Sequence, residues 1–169
     1  AYIDMDSVID WYIVNELAKN VDCVFFTSVY MYYNPSDGKL HMGPNWDFDI
    51  GFGNVNYNNC DDYHGWYIRN SAWISRMFSD PVFKARLKEK WSERRTAISN
   101  AIHSDIPRLS AAISASAAVN FSRWQILGIY TWPAPAGYGQ RTTYQSEVDY
   151  MIRWLEKRYD WLNAAINQL

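Results

Sequence analysis

The sequence predicts an α+β fold that is mostly α, with one β-hairpin and several packed helices. Apolar residues recur at helical spacing in several separated segments, and one stretch rich in β-branched and aromatic residues is followed by turn formers. Aromatic residues make up 17% of the 169 residues, which excludes general disorder and can fill a dense core. We therefore expect a single domain over residues 1–169.

The first expected element is an amphipathic helix over residues 4–20. Its apolar side chains recur at helical spacing, and Asp6 or Ser7 is expected to cap its start. Ser7 and Asp10 together resemble a capping box. Asn20 is expected to end the helix.

A β-hairpin is expected next. Residues 23–33 (CVFFTSVYMYY) are rich in β-branched and aromatic side chains, and residues 39–43 (KLHMG) are expected to pair with them. Between them, residues 34–38 (NPSDG) contain Pro, Asp and Gly, which favour turns. The polar, turn-rich residues 54–66 that follow the hairpin region predict an irregular loop.

Three further helices complete the expected layout. Asp80 followed by Pro81 is typical of a helix start, with an N-cap and then proline at the first helical position. Residues 105–127 predict the next helix. Thr142 and Gln145 are expected to form the capping box of the last helix, whose apolar stripe is one of the clearest patterns in the chain.

Composition limits the classes of partner. The formal net charge is −2 and the pI is about 5.9, so no basic field would attract nucleic acid or an anionic membrane. No run of 18 or more apolar residues occurs, so membrane insertion is not expected. Cys23 and Cys60 are too few and too far apart for a disulfide framework or a zinc site. Two free, buried thiols are favoured over a bond between them.

The stretch GPNWDFDIGFGNVN, residues 43–56, places two carboxylates in an aromatic setting. Because burying unpaired charge costs several kcal/mol, we expect a cation at Asp47 and Asp49. A hairpin brings its two ends together, so Asp22 before it is expected to face the same cleft. Oxygen ligands without His or Cys favour magnesium, calcium or manganese. A purely structural alternative, in which these aspartates form caps and turns, stays open.

Three segments together resemble a known family: YIDMDSVIDWYIVNELAKNVD, DGKLHMGPNWDFDIGFGN and SDPVFKARLKEKWSERR. They are similar to the spore coat protein H (CotH) kinase family, whose members are secreted, atypical kinase-like proteins. The resemblance covers essentially the whole chain, and the pairing of NELxxNxD with GPxWDFDxxFGN is specific. It implies the C-terminal lobe of an atypical protein-kinase-like fold, with the hairpin carrying the site at its base.

The resemblance also implies roles for individual residues. Asp22 matches the family's catalytic aspartate, the proposed base that orients the acceptor hydroxyl, and Asn20 lies beside it in the same motif. Asp47 matches the metal-binding aspartate. Asp49 occupies a position that family members often fill with Asn or Asp, which implies a metal ligand or a residue that supports one.

The implied activity is phosphoryl transfer from ATP to a serine or threonine hydroxyl of a protein substrate, with Mg²⁺ or Mn²⁺ as cofactor, in a secreted or cell-surface protein. Two features depart from the family pattern. Thr27 and Ser28 stand where some members place an Asn, and no Gly-rich phosphate loop occurs. The chain is therefore expected to be the C-terminal half of the domain, partnered by an N-terminal nucleotide-clamping half that it lacks, and such a fragment need not be active alone.

Two other functions stay open. One is a non-catalytic surface-binding or adhesion module that uses the same fold. The other is a carbohydrate-associated component of a secreted polysaccharide-degrading system, suggested by the nine Trp and thirteen Tyr. A coplanar row of exposed aromatic rings would support the carbohydrate function, and burial of all nine Trp would exclude it.

Overall fold

The computed structural model describes residues 2–169. Its architecture is α+β and mostly α, as the sequence predicts. A small antiparallel hairpin lies near the start of a helical body. The helices are α1 (Met5–Ala18), α2 (Ala72–Met77), α3 (Pro81–Asn100), α4 (Ile106–Ala112), α5 (Ser114–Arg123) and α6 (Tyr144–Asn167), and the strands are β1 (Met31–Asn34) and β2 (Lys39–Met42).

Helix α1 begins earlier than the expected caps. Its N-cap is Asp4, whose Oδ1 accepts a hydrogen bond from the backbone N–H of Ser7 at 2.8 Å. The prediction of Asp6 or Ser7 as the cap is therefore wrong, as is the Ser7–Asp10 capping box, because both residues already lie inside the helix. The sequence did not single out Asp4 because Asp4, Asp6 and Ser7 lie close together and are all of residue types that cap helices.

The end of α1 is a tight reversal. The helix stops at Ala18, and Lys19 adopts a left-handed conformation with φ of 45°. Its backbone N–H returns to the carbonyls of Asn15 and Glu16 at the end of the helix. The predicted stop at Asn20 lies one residue after the C-cap Lys19, and the reversal buries the side chains of both Lys19 and Asn20.

The hairpin is shorter than predicted on its first side. Of the expected strand over residues 23–33, only the last part belongs to β1, and the preceding residues form turns. Phe25 and Ser28 have φ of 64° and 55°, a left-handed conformation that interrupts an extended strand. Strand β1 pairs with β2 in antiparallel register from Met31 opposite Met42.

The later helices follow the predicted order with two corrections. Asp80 caps α3 as expected, and its side chain accepts from the N–H of Val82 at 2.8 Å. The helix predicted over residues 105–127 is divided, because the chain breaks at Ile113 between α4 and α5. A π-helical segment, Ala101–Asp105, joins α3 to α4.

The capping box of α6 lies one residue beyond the predicted one. Thr143 Oγ1 accepts from the N–H of Ser146, and Ser146 Oγ accepts from the N–H of Thr143, both at 3.1 Å. Thr142 and Gln145 are therefore outside the box. The sequence offers the same type of pair in two registers, and the structure uses the second.

Helix α1 lies at the centre of the largest apolar core, with α3, α6, the hairpin and the segment before α2 around it. Tyr12 contacts Phe78 edge to face at 5.4 Å, and Phe78 contacts Phe83 in the same way. Cys23 and Cys60 are buried and free, which confirms the prediction of two unbonded thiols. Within residues 2–169, no helix combines the length and the apolar character that crossing a membrane requires.

Candidate functional site

Asn20 connects the two loops that carry the predicted site aspartates. Its Nδ2 donates to the backbone carbonyl of Asp47 at 3.0 Å, across 27 positions of the chain. Its Oδ1 accepts from the backbone N–H of Asp22 at 3.3 Å. The Asn20 side chain is fully buried, so these bonds hold both loops against the end of α1.

A second asparagine of the same motif strengthens this connection. Asn15 Nδ2 donates to the side-chain oxygen of Asn45 at 3.0 Å, just before the WDFD segment. Asn15 Oδ1 accepts from Asn20 Nδ2 at 3.3 Å. Both motif asparagines therefore use their side chains to fix the backbone around the aspartates.

Asp47 projects from a strained backbone position. Its φ is 62°, in the left-handed region that residues other than glycine rarely adopt. The bond from Asn20 to its carbonyl stabilises this conformation. Its carboxylate is exposed, and Oδ2 accepts from the hydroxyl of Ser28 at 3.0 Å. Ser28 therefore contacts the predicted metal ligand directly.

Asp22, the third predicted carboxylate, lies in the same acidic region as Asp47 and Asp49. Burial raises the pKa of the Cys23 thiol to about 12, and the negative charges of Asp22 and Asp47 contribute to this increase. Burial also raises the pKa of Tyr57, and the charges of Asp22 and Asp49 add to that effect. Asp22 therefore shares one neighbour with Asp47 and another with Asp49.

These three carboxylates do not form a closed metal cage. Their ligand oxygens do not all lie within 4.8 Å of one another, so the cleft is more open than the hairpin argument suggests. Asp47 and Asp49 are also exposed, so water can solvate their charges and burial alone does not require a cation. Within residues 2–169, the group that meets the 4.8 Å distance consists of Asp4, Asp37 and His41, beside the hairpin.

No protein cation neutralises the predicted site. Within residues 2–169, none of the ion pairs includes Asp22, Asp47 or Asp49. Lys19, which is close in sequence, is engaged elsewhere. The acidic region therefore keeps its negative charge available for a ligand.

Sequence reasoning missed a buried charged network behind the site. Glu16 is 1% exposed, and its carboxylate accepts from the backbone N–H groups of Tyr67 and Arg69 at 2.7 and 2.8 Å. Arg158 of α6 is fully buried and donates to the same carboxylate at 2.8 Å. A charged residue within the otherwise apolar end of α1 was the available signal, but its partner lies 142 positions away.

Lys19 forms a second part of this network. Its ammonium donates to the backbone carbonyls of Asn59, Asp62 and His64 at 2.9, 2.6 and 2.6 Å. Burial lowers the pKa of Lys19, and the charge of Arg158 adds to that effect. The irregular loop after the site is therefore shaped around one buried ammonium group.

The glycines after the aspartates serve packing. Gly53 has φ of 79°, and a Cβ placed there would lie 2.6 Å from the buried ring of Trp154. The N–H of Phe52 donates to the carbonyl of Ala18 at 2.8 Å, so this loop also docks against the end of α1. Phe48 and Phe52 stack on each other at 5.6 Å beside the aspartates.

The family model described as CotH kinase protein matches residues 1–162. The chain belongs to the CotH kinase protein family. In this CotH chain, Asn20 joins the NELxxNxD motif to the WDFD segment through hydrogen bonds, so the two matched motifs form one structural unit. No curated protein and no solved structure matches the chain.

The exposure of the tryptophans bears on the carbohydrate alternative. Trp46, Trp73, Trp124 and Trp132 are exposed, so the condition that would exclude that alternative, burial of all nine, is not met. The supporting condition is not met either. The stacked aromatic contacts within residues 2–169 are isolated pairs, such as Tyr57 with Trp132, and they do not form a coplanar row.

Proposed function

We propose that this CotH-family chain carries the metal-binding and acceptor-orienting residues of a secreted or cell-surface protein kinase. The reaction is Mg²⁺-dependent transfer of a phosphoryl group from ATP to a serine or threonine hydroxyl. One observation carries the proposal: Asn20 holds the Asp22 and Asp47 loops together, while neither carboxylate is paired with a protein cation. Family membership supports the kinase-like assignment.

The donor set fits magnesium or manganese. The site offers carboxylate oxygens and a hydroxyl, with no His or accessible thiol, which matches the preference of hard divalent cations. Magnesium usually takes only one or two carboxylates and completes its shell with water and phosphate oxygens, so an open arrangement is suitable. When bound with ATP, the metal would neutralise charge on the phosphates.

Each residue has a distinct role in this proposal. Asp47 would hold the metal, and its bond from Ser28 limits the directions that its carboxylate can take. Asp49 is exposed and would assist Asp47 in holding the metal. Asn54 donates to the backbone carbonyl of Asp49 and not to its carboxylate, so the carboxylate is free to bind. Asp22 would accept a hydrogen bond from the acceptor hydroxyl and orient it for attack. Asn20 is fully buried, so it is a positioning residue.

Calorimetric titration of Mn²⁺ or Mg²⁺, with and without ATP, tests the metal site. Asp47→Asn keeps the shape of the side chain and removes its charge, so saturable binding should weaken by about tenfold or more. Asp37→Asn is the matched control, because it removes a carboxylate from the separate acidic group at the hairpin. Loss of binding in Asp37→Asn and retention in Asp47→Asn would contradict the proposal.

Transfer of labelled γ-phosphate to a protein acceptor tests the reaction itself. Asp22→Asn should leave metal binding intact and lower transfer by about two orders of magnitude or more, since it removes the acceptor-orienting carboxylate. The adhesion alternative makes the opposite prediction. Partner binding that persists unchanged in both Asp22→Ala and Asp47→Ala, together with absent phosphoryl transfer in the wild type, would favour that alternative.

A further inference from the structure

A groove opens beside Asp49 and extends away from the end of α1. It has a volume of about 490 Å³ and lies between the loop after Asp47, the segment after α5 and the first turns of α6. This volume is within the range of pockets that hold small ligands or a few side chains. Its apolar wall includes Phe48, Phe52, Ile126, Ile129, Trp132 and Met151, and we name this cavity the Asp49 groove.

The wall formed by the segment after α5 leaves large apolar side chains in solvent. Ile129 is 59% exposed and Trp132 is 63% exposed, and Ile126 is also exposed. Exposed apolar groups that line one cavity are typical of a binding surface, whereas isolated ones are not. The segment therefore offers a surface on which an apolar ligand would remove further area from water.

The Asp49 groove is continuous with the acidic region. Trp132 stacks on Tyr57 with ring centres 6.0 Å apart and planes at 10°. The charges of Asp22 and Asp49 act on the Tyr57 hydroxyl, and Asp49 itself lines the groove. A ligand in the groove would therefore contact Asp49, the carboxylate proposed to assist the metal.

The charges in the groove disfavour an anionic ligand. Arg141 is its one cationic lining residue, and Arg141 Nε donates to Glu147 at 2.8 Å. The same guanidinium lies 4.2 Å from the ring centre of Tyr150 and donates to the carbonyl of Ala136. Asp49 has no such partner among residues 2–169, so the groove is apolar with a net negative charge. A triphosphate fits this environment poorly, and a neutral or basic apolar chain fits it well.

We propose that the Asp49 groove binds the acceptor protein, as an extended segment in which large apolar residues flank the serine or threonine to be phosphorylated. This inference rests on the proposed function, because it assigns the groove to the acceptor of that reaction. The apolar flanks would lie against Ile129, Trp132 and Phe52. The hydroxyl would then lie at the end of the groove where Asp49 is found.

Fluorescence anisotropy with a labelled peptide tests the proposal on the whole chain, without metal or ATP. The probe has Leu-Phe-Ser-Leu at its centre, and the comparison peptide replaces Leu and Phe by Asp. Ile129→Asp should weaken binding of the apolar probe by about tenfold or more, because it places a charge on the apolar wall. The matched control is Val119→Asp, since Val119 is 71% exposed on α5 and lies outside the groove, and it should change binding less than about twofold.

Trp132→Ala provides a second variant that removes the wall without adding charge, and it should also weaken the apolar probe. Equal binding of the two peptides, no binding to the wild type, or unchanged binding in both groove variants would overturn the proposal. Displacement of the probe by ATP or by a cello-oligosaccharide would also overturn it, since it would assign the groove to a nucleotide or a sugar.

The same assay separates this inference from the proposed function. Probe binding without metal and Mn²⁺ binding are measured separately on the wild type and on the groove variants, because no metal takes part in the probe-binding step. If probe binding follows the groove variants while metal binding fails, the proposed phosphoryl transfer is wrong and the groove remains a peptide site. If metal binding and transfer hold while the groove variants bind the probe normally, only the acceptor-groove assignment is wrong.

Discussion

Asn20 is the residue on which the geometry of the site depends most directly. Its side-chain amide donates a hydrogen bond to the carbonyl of Asp47 and accepts one from the N–H of Asp22, and it is shielded from water. Removing it would leave the Asp47 carbonyl and the Asp22 N–H without their partner. Because Asp47 has a left-handed backbone, losing that support should let it relax toward an ordinary conformation.

We therefore expect Asn20→Ala to lower the free energy of unfolding by about 1–3 kcal/mol, the cost of leaving buried polar groups unpaired. Urea denaturation measures this change. Under conditions where the variant is fully folded, its affinity for Mn²⁺ should also fall, which a purely structural residue would not require. Asn100→Ala, at an exposed position, should change stability by less than about 0.5 kcal/mol. Unchanged Mn²⁺ affinity in folded Asn20→Ala would contradict the positioning role.

At this scale the sequence predicted which residues to examine, but it did not predict their conformations. Asp22, Asp47 and Asp49 follow from residue type, spacing and resemblance. The left-handed backbone of Asp47 depends on a hydrogen bond from Asn20 across 27 positions, which has no local signature. The roles of these residues in metal binding and transfer remain predictions.

Helices α1 and α3 are joined by charged side chains along one side. Arg86 Nε donates to Asp6 Oδ1 at 2.9 Å and Arg86 Nη2 donates to Asp6 Oδ2 at 2.7 Å, a bidentate pair. Lys90 of the same helix approaches Asp6 at 3.3 Å. The hydrogen bonds from Arg86 lower the pKa of Asp6 from 3.8 to about 2. Asp6, which was expected to cap α1, instead connects it to α3.

This pair predicts the direction of acid sensitivity. Because the pKa of Asp6 is lower in the folded protein, the pair stabilises the fold above pH 3.8, and that contribution is lost as the pH falls toward about 2. Urea midpoints measured across this pH range should fall less steeply in Asp6→Asn and in Arg86→Met than in the wild type. Since the side chain of Asp6 is 45% exposed, high salt should weaken the difference.

Arg108→Met is the control for that experiment. Arg108 pairs with Asp105 within one exposed turn and joins no two helices. Its variant should keep the acid dependence of the wild type to within the error of the midpoints. A slope in Asp6→Asn equal to that of the wild type would show that the Arg86 pair does not contribute.

Element boundaries could be predicted where a strong local signal exists. Asp80 and Pro81 start α3 as expected, because an N-cap followed by proline has few alternatives. The break at Ile113 has no glycine or proline beside it, so residue type did not indicate it, whereas Pro107 follows the π-helical segment and lacks the N–H that a regular helix would use there. The first strand was predicted too long because aromatic and β-branched residues also occur in the partly buried turns after α1.

Across the whole molecule, one buried network joins the beginning, the middle and the end of the chain. Arg158 of α6 donates to the side chain and backbone of Glu16 in α1, and to the carbonyls of Tyr63 and Gly65 in the loop after the site. Each of these bonds satisfies an N–H group of the fully buried Arg158 guanidinium. The network is thus a single structure shared by distant segments.

Arg158→Met should lower the free energy of unfolding by about 3–5 kcal/mol, because it leaves the buried Glu16 carboxylate without its counter-charge. Arg153→Met is the matched control on the exposed side of the same helix and should cost less than about 0.5 kcal/mol. Adding Glu16→Gln to Arg158→Met should recover part of the loss. Urea denaturation of the single and double variants measures both effects, and equal stability of the two arginine variants would refute the assignment.

The fold class and its family extent could be predicted from the sequence, because helical periodicity and the paired motifs each cover long stretches. The Glu16–Arg158 contact could not, since it spans 142 positions and neither residue belongs to a periodic pattern. The Asp49 groove also escaped prediction. Its walls come from segments that touch only in the folded chain, and the Pro/Gly-rich sequence after α5 indicates a loop without indicating what it faces.

The buried network changes what the family's signature sequence means. Asn15, Glu16 and Asn20 of the NELxxNxD segment all point into the protein and hold loops by hydrogen bonds. Loss of the proposed phosphoryl transfer would leave these three residues necessary for the fold, whereas the carboxylates of Asp22 and Asp47 would lose their proposed role. The NELxxNxD segment therefore reports the fold of the chain, and the carboxylates of Asp22 and Asp47 are what the proposed activity would require in addition.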